Sequence, residues 1–105
     1  MAETYKYKLK FVPDALDEWN KLDGSVKEPL RKLLKKRLDQ PCVPGAALHG
    51  ELQHCYKIKL LKQGYRLVYV VENDELVVLV LAVDRREDAT VYSSAVSRLK
   101  GTLKR

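Results

Sequence analysis

Eight consecutive apolar residues, Leu76-Val77-Val78-Leu79-Val80-Leu81-Ala82-Val83, constrain this chain more than any other feature. A strand with one wet face alternates apolar and polar residues, whereas one that is apolar throughout reads as covered on both faces. The run therefore predicts a central strand. Neither it nor any other apolar stretch approaches the roughly 20 residues of a membrane helix.

The neighbours of this strand are legible on both sides. Two β-runs precede it, Cys55 to Leu61 and Tyr65 to Val71, with Gln63-Gly64 and Asn73-Asp74 as the intervening turn signals. A fourth lies at the start: Tyr5-Lys6-Tyr7-Lys8-Leu9-Lys10-Phe11 alternates strictly, which predicts Tyr5, Tyr7, Leu9 and Phe11 on a buried face. Pro13 suits the first turn of a helix that carries Leu16, Trp19 and Leu22 at helical spacing, and Gly24 can end it. Ser25-Val26-Lys27-Glu28 has the form of a capping box, and Val26, Leu30, Leu33, Leu34 and Leu38 form an apolar stripe behind it. Pro29 is a small misfit that still falls within the first turn of a helix so capped. Pro41-Cys42-Val43-Pro44-Gly45 ends this helix and opens an irregular segment to about His54. From Asp88 onward, Tyr92, Ala95, Val96 and Leu99 predict a closing helix with a basic tail. The expectation is an α+β fold in the order β-α-α-β-β-β-α. It has a four-stranded, mainly antiparallel sheet, an N-terminal helical hairpin and a C-terminal helix.

With 105 residues the chain has room for one domain, taken as 1–105, around one core. Lys and Arg number 20 against 14 Asp and Glu, a formal charge of +6. Such an excess attracts polyanions, but it equally serves plain solubility. The first residues lack the apolar block of a signal peptide, so the expected compartment is the cytoplasm, with no membrane partner. Cys42 and Cys55 are too few for a disulfide scaffold and are expected to be reduced. With His49 and His54 they make no zinc-site spacing, so neither a metal site nor a cofactor is expected.

The second β-run alternates lysines with apolar residues. If the following loop holds an even number of residues, as Gln63-Gly64 would, Leu61 stands opposite Arg66, Lys59 opposite Val68 and Lys57 opposite Val70. Lys57, Lys59 and Arg66 then project from one side of the sheet. A three-residue loop would send Arg66 to the other side. Three like charges on one face are either neutralised from elsewhere or await an anion. A lysine among other cations is also favoured to lose its proton, as a general base must. Arg85-Arg86-Glu87 follows the apolar strand, at an edge where scaffold meets loop. Lys27, Arg31, Lys32, Lys35, Lys36 and Arg37 lie between the apolar positions of the second helix, as a solvated face or a phosphate-contacting one. Tyr92 is a core aromatic, or, at the stripe's border, a ring for a base to stack on. No histidine pair, glycine-rich phosphate loop, G-x-S-x-G elbow or metal triad is present in the sequence. Catalysis, if any, must rest on Lys, Arg and Tyr.

The blocks His54-Cys55-Tyr56-Lys57-Ile58-Lys59-Leu60 and Gly64-Tyr65-Arg66-Leu67-Val68-Tyr69 resemble the core of RelE toxins. Arg86-Glu87 with Val91-Tyr92-Ser93 and Ala95-Val96 resembles the same family's C-terminal signature, and Leu16-Asp17-Glu18-Trp19 fits its first helix. The resemblance runs from Phe11 to Leu99. It implies a RelE/ParE-like, microbial ribonuclease-like fold and a type II toxin that cleaves mRNA in the ribosomal A site. Lys57, Lys59, Arg66, Arg86 and Tyr92 match the family's catalytic positions. The implied partners are mRNA and 16S rRNA on the 70S ribosome, contacted by Lys27, Arg31, Lys32, Lys35, Lys36 and Arg85, and a RelB-like antitoxin. Operator DNA would be reached only through the antitoxin complex. His49, where relatives often carry Arg, and Arg85, where Lys is common, are departures, and Gly101 to Arg105 looks like an extension. The rival expectations are a ParE-like toxin acting on DNA gyrase and a DNA-binding co-repressor.

Overall fold

The computed structural model describes residues 6–85 and 90–103. Its elements are β1 (Lys8–Phe11), α1 (Pro13–Asn20), α2 (Gly24–Arg37), two short 3-10 turns at Pro44–Ala46 and Gly50–Leu52, β2 (Cys55–Leu60), β3 (Tyr65–Glu72), β4 (Val77–Arg85) and α3 (Thr90–Leu103). The four strands form one sheet in the order β1-β4-β3-β2. β2, β3 and β4 are antiparallel neighbours, while β1 runs parallel to β4. From Val77 on, the apolar run lies between β1 and β3, and every residue to Val83 is buried, whereas Leu76, expected in the same strand, is exposed in the turn before it.

β1 is shorter than its alternation suggested. Tyr7 is buried just ahead of it, its hydroxyl donating to Asn73 Oδ1 at 2.8 Å, and Phe11 is half-buried against the Trp19 ring. Leu9, expected on the buried face, is exposed, because β1 is an edge strand with cover only where the α1 side chains reach. Tyr5 lies outside the described residues.

Four expectations for the helical hairpin are corrected, those for Leu16, the Ser25–Glu28 box, Gly24 and Pro29. Leu16 is exposed, and Ala15 and Trp19, one turn apart, carry α1's burial instead. The cap of α2 is Asp23, whose side chain accepts from the Ser25 backbone N–H, rather than a Ser25–Glu28 box. Gly24 therefore begins α2 instead of ending α1, and Glu28 pairs with Arg31. The Ser25 hydroxyl also bonds the Asp23 carboxylate and holds its pKa below the ordinary value. With the helix starting earlier, Pro29 sits beyond the first turn and leaves the Ser25 carbonyl without its i+4 donor. Gln63 Nε2, from the β2–β3 turn, donates to that carbonyl at 3.4 Å.

Behind the hairpin, Val26, Leu30, Leu34 and Leu38 are buried and Leu33 half-buried, as the stripe required. Arg37, by contrast, turns inward. Its guanidinium donates to the Lys57 carbonyl at 3.2 Å and to Tyr69 Oη at 2.9 Å, while Tyr69 Oη donates to the Pro41 carbonyl at 2.7 Å. Tyr69 is fully buried, and this network satisfies its hydroxyl.

β3 and β4 are out of step by one residue. Val68 faces Ala82 but Tyr69 faces Val80, so Leu81 is the extra residue of a β-bulge. Here β4 has outrun its β1 partner, whose register ends at Val80. Side chains complete the exposed edge: Glu18 Oε1 accepts from the Val83 N–H at 3.1 Å, and Arg98 donates to the Leu81 carbonyl at 2.9 Å. Glu18 and Arg98 also join each other through two contacts of 2.8 and 3.0 Å, tying α1, β4 and α3 at one point. α3 continues through Gly101 to Leu103, so part of the expected extension is helical.

Candidate nucleic-acid interface

Leu61 to Gly64 form the connection between β2 and β3, four residues and therefore an even number. It closes with the Gly64 N–H donating to the Leu60 carbonyl at 2.8 Å, and Gly64 takes φ +73°, a conformation that glycine adopts at little cost. The register differs by two residues from the expected one: Lys59 pairs with Arg66 and Lys57 with Val68. A shift of two preserves parity, so Lys57, Lys59 and Arg66 do share a face, and Lys59 and Arg66 are directly opposite one another. Asp84 extends the same rung across β4, and its carboxylate accepts from the Arg85 N–H at 2.7 Å.

Lys59 is exposed and Lys57 half-buried. The Arg66 guanidinium lies 5.5 Å from the centre of the Tyr92 ring, a cation–π distance. Its Nε is buried without a hydrogen-bond partner. A buried donor of a guanidinium with no acceptor is costly, and an incoming anion would relieve that cost. Tyr92 is half-buried at the border of the stripe formed by Val91, Ala95 and Leu99, so α3 holds its ring at the rim of the site and outside the core. Arg86 lies outside the described residues.

Arg85 does not join this cluster. It pairs with Tyr65, whose side chain projects from the other face of the sheet, and its guanidinium lies 5.8 Å from the Tyr65 ring centre with Nε 3.4 Å from Tyr65 Oη. That other face is the one α2 covers, as the Arg37–Tyr69 contact fixes. Lys32, Lys35 and Lys36 are exposed on α2, with Lys27 and Arg31 half-buried. The two sets of cations expected to meet RNA therefore stand on opposite faces of the sheet. The inward role of Arg37 and the Glu18–Arg98 clamp were missed from sequence. Their only signal was a charge at an otherwise ordinary helical position.

A cleft of about 620 Å³ lies elsewhere, at the β1 edge, with Lys10, Phe11, Asp14, Glu72, Glu75 and Arg98 among its lining. Its carboxylates make it a poor anion site, and β1 is at the opposite edge of the sheet from β2. Among the described residues no group of three or more His, Cys, Asp and Glu could hold a metal ion. No helix among them is long and apolar enough to cross a membrane. Cys55 is buried, which pushes its thiol up to about 11, and Cys42 is exposed; both are free thiols.

Residues 9–90 match the family described as the ParE toxin of the type II toxin–antitoxin system parDE. The mRNA interferase toxin RelE of Escherichia coli K12 is 46% identical over 93 residues, which cover 89% of this chain and 97% of that protein. The chain belongs to the RelE/ParE toxin family. Among solved structures, a free-state E. coli RelE toxin carrying two arginine-to-alanine changes matches this toxin with a TM-score of 0.82 at 45% identity, covering 90% of this chain and 98% of that one. The RelE chain of the intact E. coli RelBE toxin–antitoxin complex matches with a TM-score of 0.74 at 44% identity, covering 78% and 99%. The α+β fold of this toxin is thus the RelE fold, and its class is that of a type II toxin–antitoxin toxin.

Proposed function

We propose that this toxin is a ribosome-dependent endoribonuclease that cuts mRNA in the ribosomal A site and so stops translation. The observation that carries the reading is the shared face of Lys57, Lys59 and Arg66 beside the Tyr92 ring, with a buried Arg66 Nε lacking an acceptor. The relative named an mRNA interferase, 46% identical to the toxin, supports the same reaction class.

In this reading a ribose 2′-hydroxyl attacks the adjacent phosphate, leaving a 2′,3′-cyclic phosphate and a free 5′-hydroxyl. Lys59, directly opposite Arg66, takes the proton of the attacking hydroxyl. Lys57 binds the phosphate. Arg66 stabilises the charge that builds on the phosphorane with its planar fork of donors. Tyr92 stacks on a base. Arg86 acts electrostatically, since a guanidinium that keeps its charge gives up a proton poorly, and water or another group protonates the leaving oxygen. Holding the nucleotide in an attack geometry can supply much of the rate, so a site without histidine relies on the ribosome to position the mRNA.

Lys27, Arg31, Lys32, Lys35 and Lys36 of α2 together with Arg85 are the proposed RNA and ribosome contacts. The solved RelBE complexes of relatives support a RelB-like antitoxin as the partner of this toxin; operator DNA would be reached only through that partner. Incubating the toxin with a defined mRNA, alone and on programmed ribosomes, and analysing the fragment ends tests the reading. Cyclic phosphate ends that form only with ribosomes are expected; equal cutting of free RNA would sink the ribosome dependence. The family description favours one rival, a ParE-like toxin acting on gyrase. Inhibition of gyrase supercoiling, with mRNA left intact, would establish that rival instead.

A further inference from the structure

The opposed placement of the two cation sets raises the question of how one RNA could meet both, and the terminal rung of the sheet supplies an answer. Leu60, Tyr65 and Arg85 form the rung next to Lys59, Arg66 and Asp84, one residue farther toward the open end. Successive residues of a strand are about 3.3 Å apart and point to opposite faces. Tyr65 and Arg85 therefore adjoin the lysine–arginine site along the backbone while projecting toward the α2 side. They repeat its chemistry: an arginine guanidinium 5.8 Å from a half-buried tyrosine ring, against 5.5 Å for Arg66 and Tyr92.

The direction of α2 places more cations at the same end. Its C-terminal Arg37 reaches the Lys57 carbonyl, whereas the Ser25 carbonyl in its first turn meets Gln63 of the β2–β3 turn. Lys27 and Arg31 thus belong to the end of the helix that lies beside the terminal rung.

We propose that Tyr65 and Arg85 form a second nucleotide subsite, which takes the base and phosphate next to the cleaved linkage as the RNA crosses the sheet end toward α2. The inference rests on the RNA-cleaving reading above and deepens it. Stacking on a tyrosine tolerates every base, and the paired guanidinium can meet the phosphate. Arg85 acts in binding, on the opposite face from the reacting groups.

The test compares wild type with Tyr65→Leu, which keeps bulk without a π-face, and with the exposed-site variants Arg85→Ala and Arg85→Lys. Each is assayed in single-turnover cleavage on programmed ribosomes and by fluorescence anisotropy with a short RNA carrying a 2′-deoxy sugar at the cut. For Tyr65→Leu and Arg85→Ala the half-saturating concentration should rise at least about five-fold, the lower end of what a lost stack costs. Arg85→Lys should fall between these and wild type, and the distribution of cuts among codons should shift. Wild-type half-saturation in both Tyr65→Leu and Arg85→Ala, with thermal melts confirming folded protein, would overturn the subsite while leaving the nuclease intact. If Tyr65→Leu does not fold, Arg85→Ala alone decides. If wild type cuts nothing, the nuclease reading falls; anisotropy then decides whether these residues bind RNA, and equal affinity in the variants overturns the proposal.

Discussion

At the scale of single residues, the fold depends on polar groups satisfied at particular points. Among the described residues Tyr69 is the largest fully buried side chain, and its hydroxyl is held between the Pro41 carbonyl and the Arg37 guanidinium. Tyr69→Phe removes that hydroxyl and with it the bonds to the Arg37 guanidinium and to the Pro41 carbonyl, which keeps its bond from the Val43 N–H, so it should cost about 1–3 kcal/mol, measured by urea unfolding. Cys55 makes a pH prediction. Burial raises its thiol from an ordinary value near 9 to about 11, so the folded protein holds this proton more tightly than the unfolded chain. The contribution to stability is complete below the unfolded value and is lost as pH rises from about 9 toward 11. Burial raises Tyr69 in the same sense. Urea midpoints should therefore fall on moving to about pH 10.5, with a shallower fall in Cys55→Ala. An identical slope in that variant would remove Cys55 from the account. Native protein should also react quickly with a thiol reagent at Cys42 alone.

At the scale of elements, the helices are fixed by their ends and by a few ionic ties. Asp23→Ala should lower the urea midpoint clearly, and Glu28→Ala by much less, because Asp23 is the cap that α2 uses. Equal losses would restore the Ser25–Glu28 capping box. Arg98→Ala should cost more, about 2–3 kcal/mol, since it breaks a paired, mostly buried cation and frees the Leu81 carbonyl at the bulge. Hydrogen exchange should show the α3 amides losing protection first. The same elements explain what the sequence could and could not disclose. The apolar run could only be a covered strand, and the parity of Lys57, Lys59 and Arg66 survived a register error of two, because the side-chain period is two. Leu16 and Leu9 misled because a periodic pattern places residues on a face without saying which part of that face has a partner. The Glu18–Arg98 clamp lay beyond sequence reading: its partners are 80 positions apart, and the edge they complete exists only because β1 ends early.

At the scale of the whole molecule, charge is divided between two faces and joined at one end of the sheet. Of the candidate site, the Lys57–Lys59–Arg66 face was visible as alternation plus an even loop. The position of Arg85 was not, because adjacent strand residues point oppositely, and only the actual register placed it with Tyr65. Tyr92 was ambiguous between core and rim until α3 was docked on the sheet. The measurement that tests the central claim most directly is primer extension on a defined mRNA carried by programmed ribosomes, comparing wild type with Arg66→Ala and Arg86→Ala. The account predicts cuts within the A-site codon for wild type, reduced by at least about 100-fold in each variant, as loss of a charge-stabilising donor should produce. Intact mRNA with folded wild-type toxin, or undiminished cutting by both variants, would contradict it.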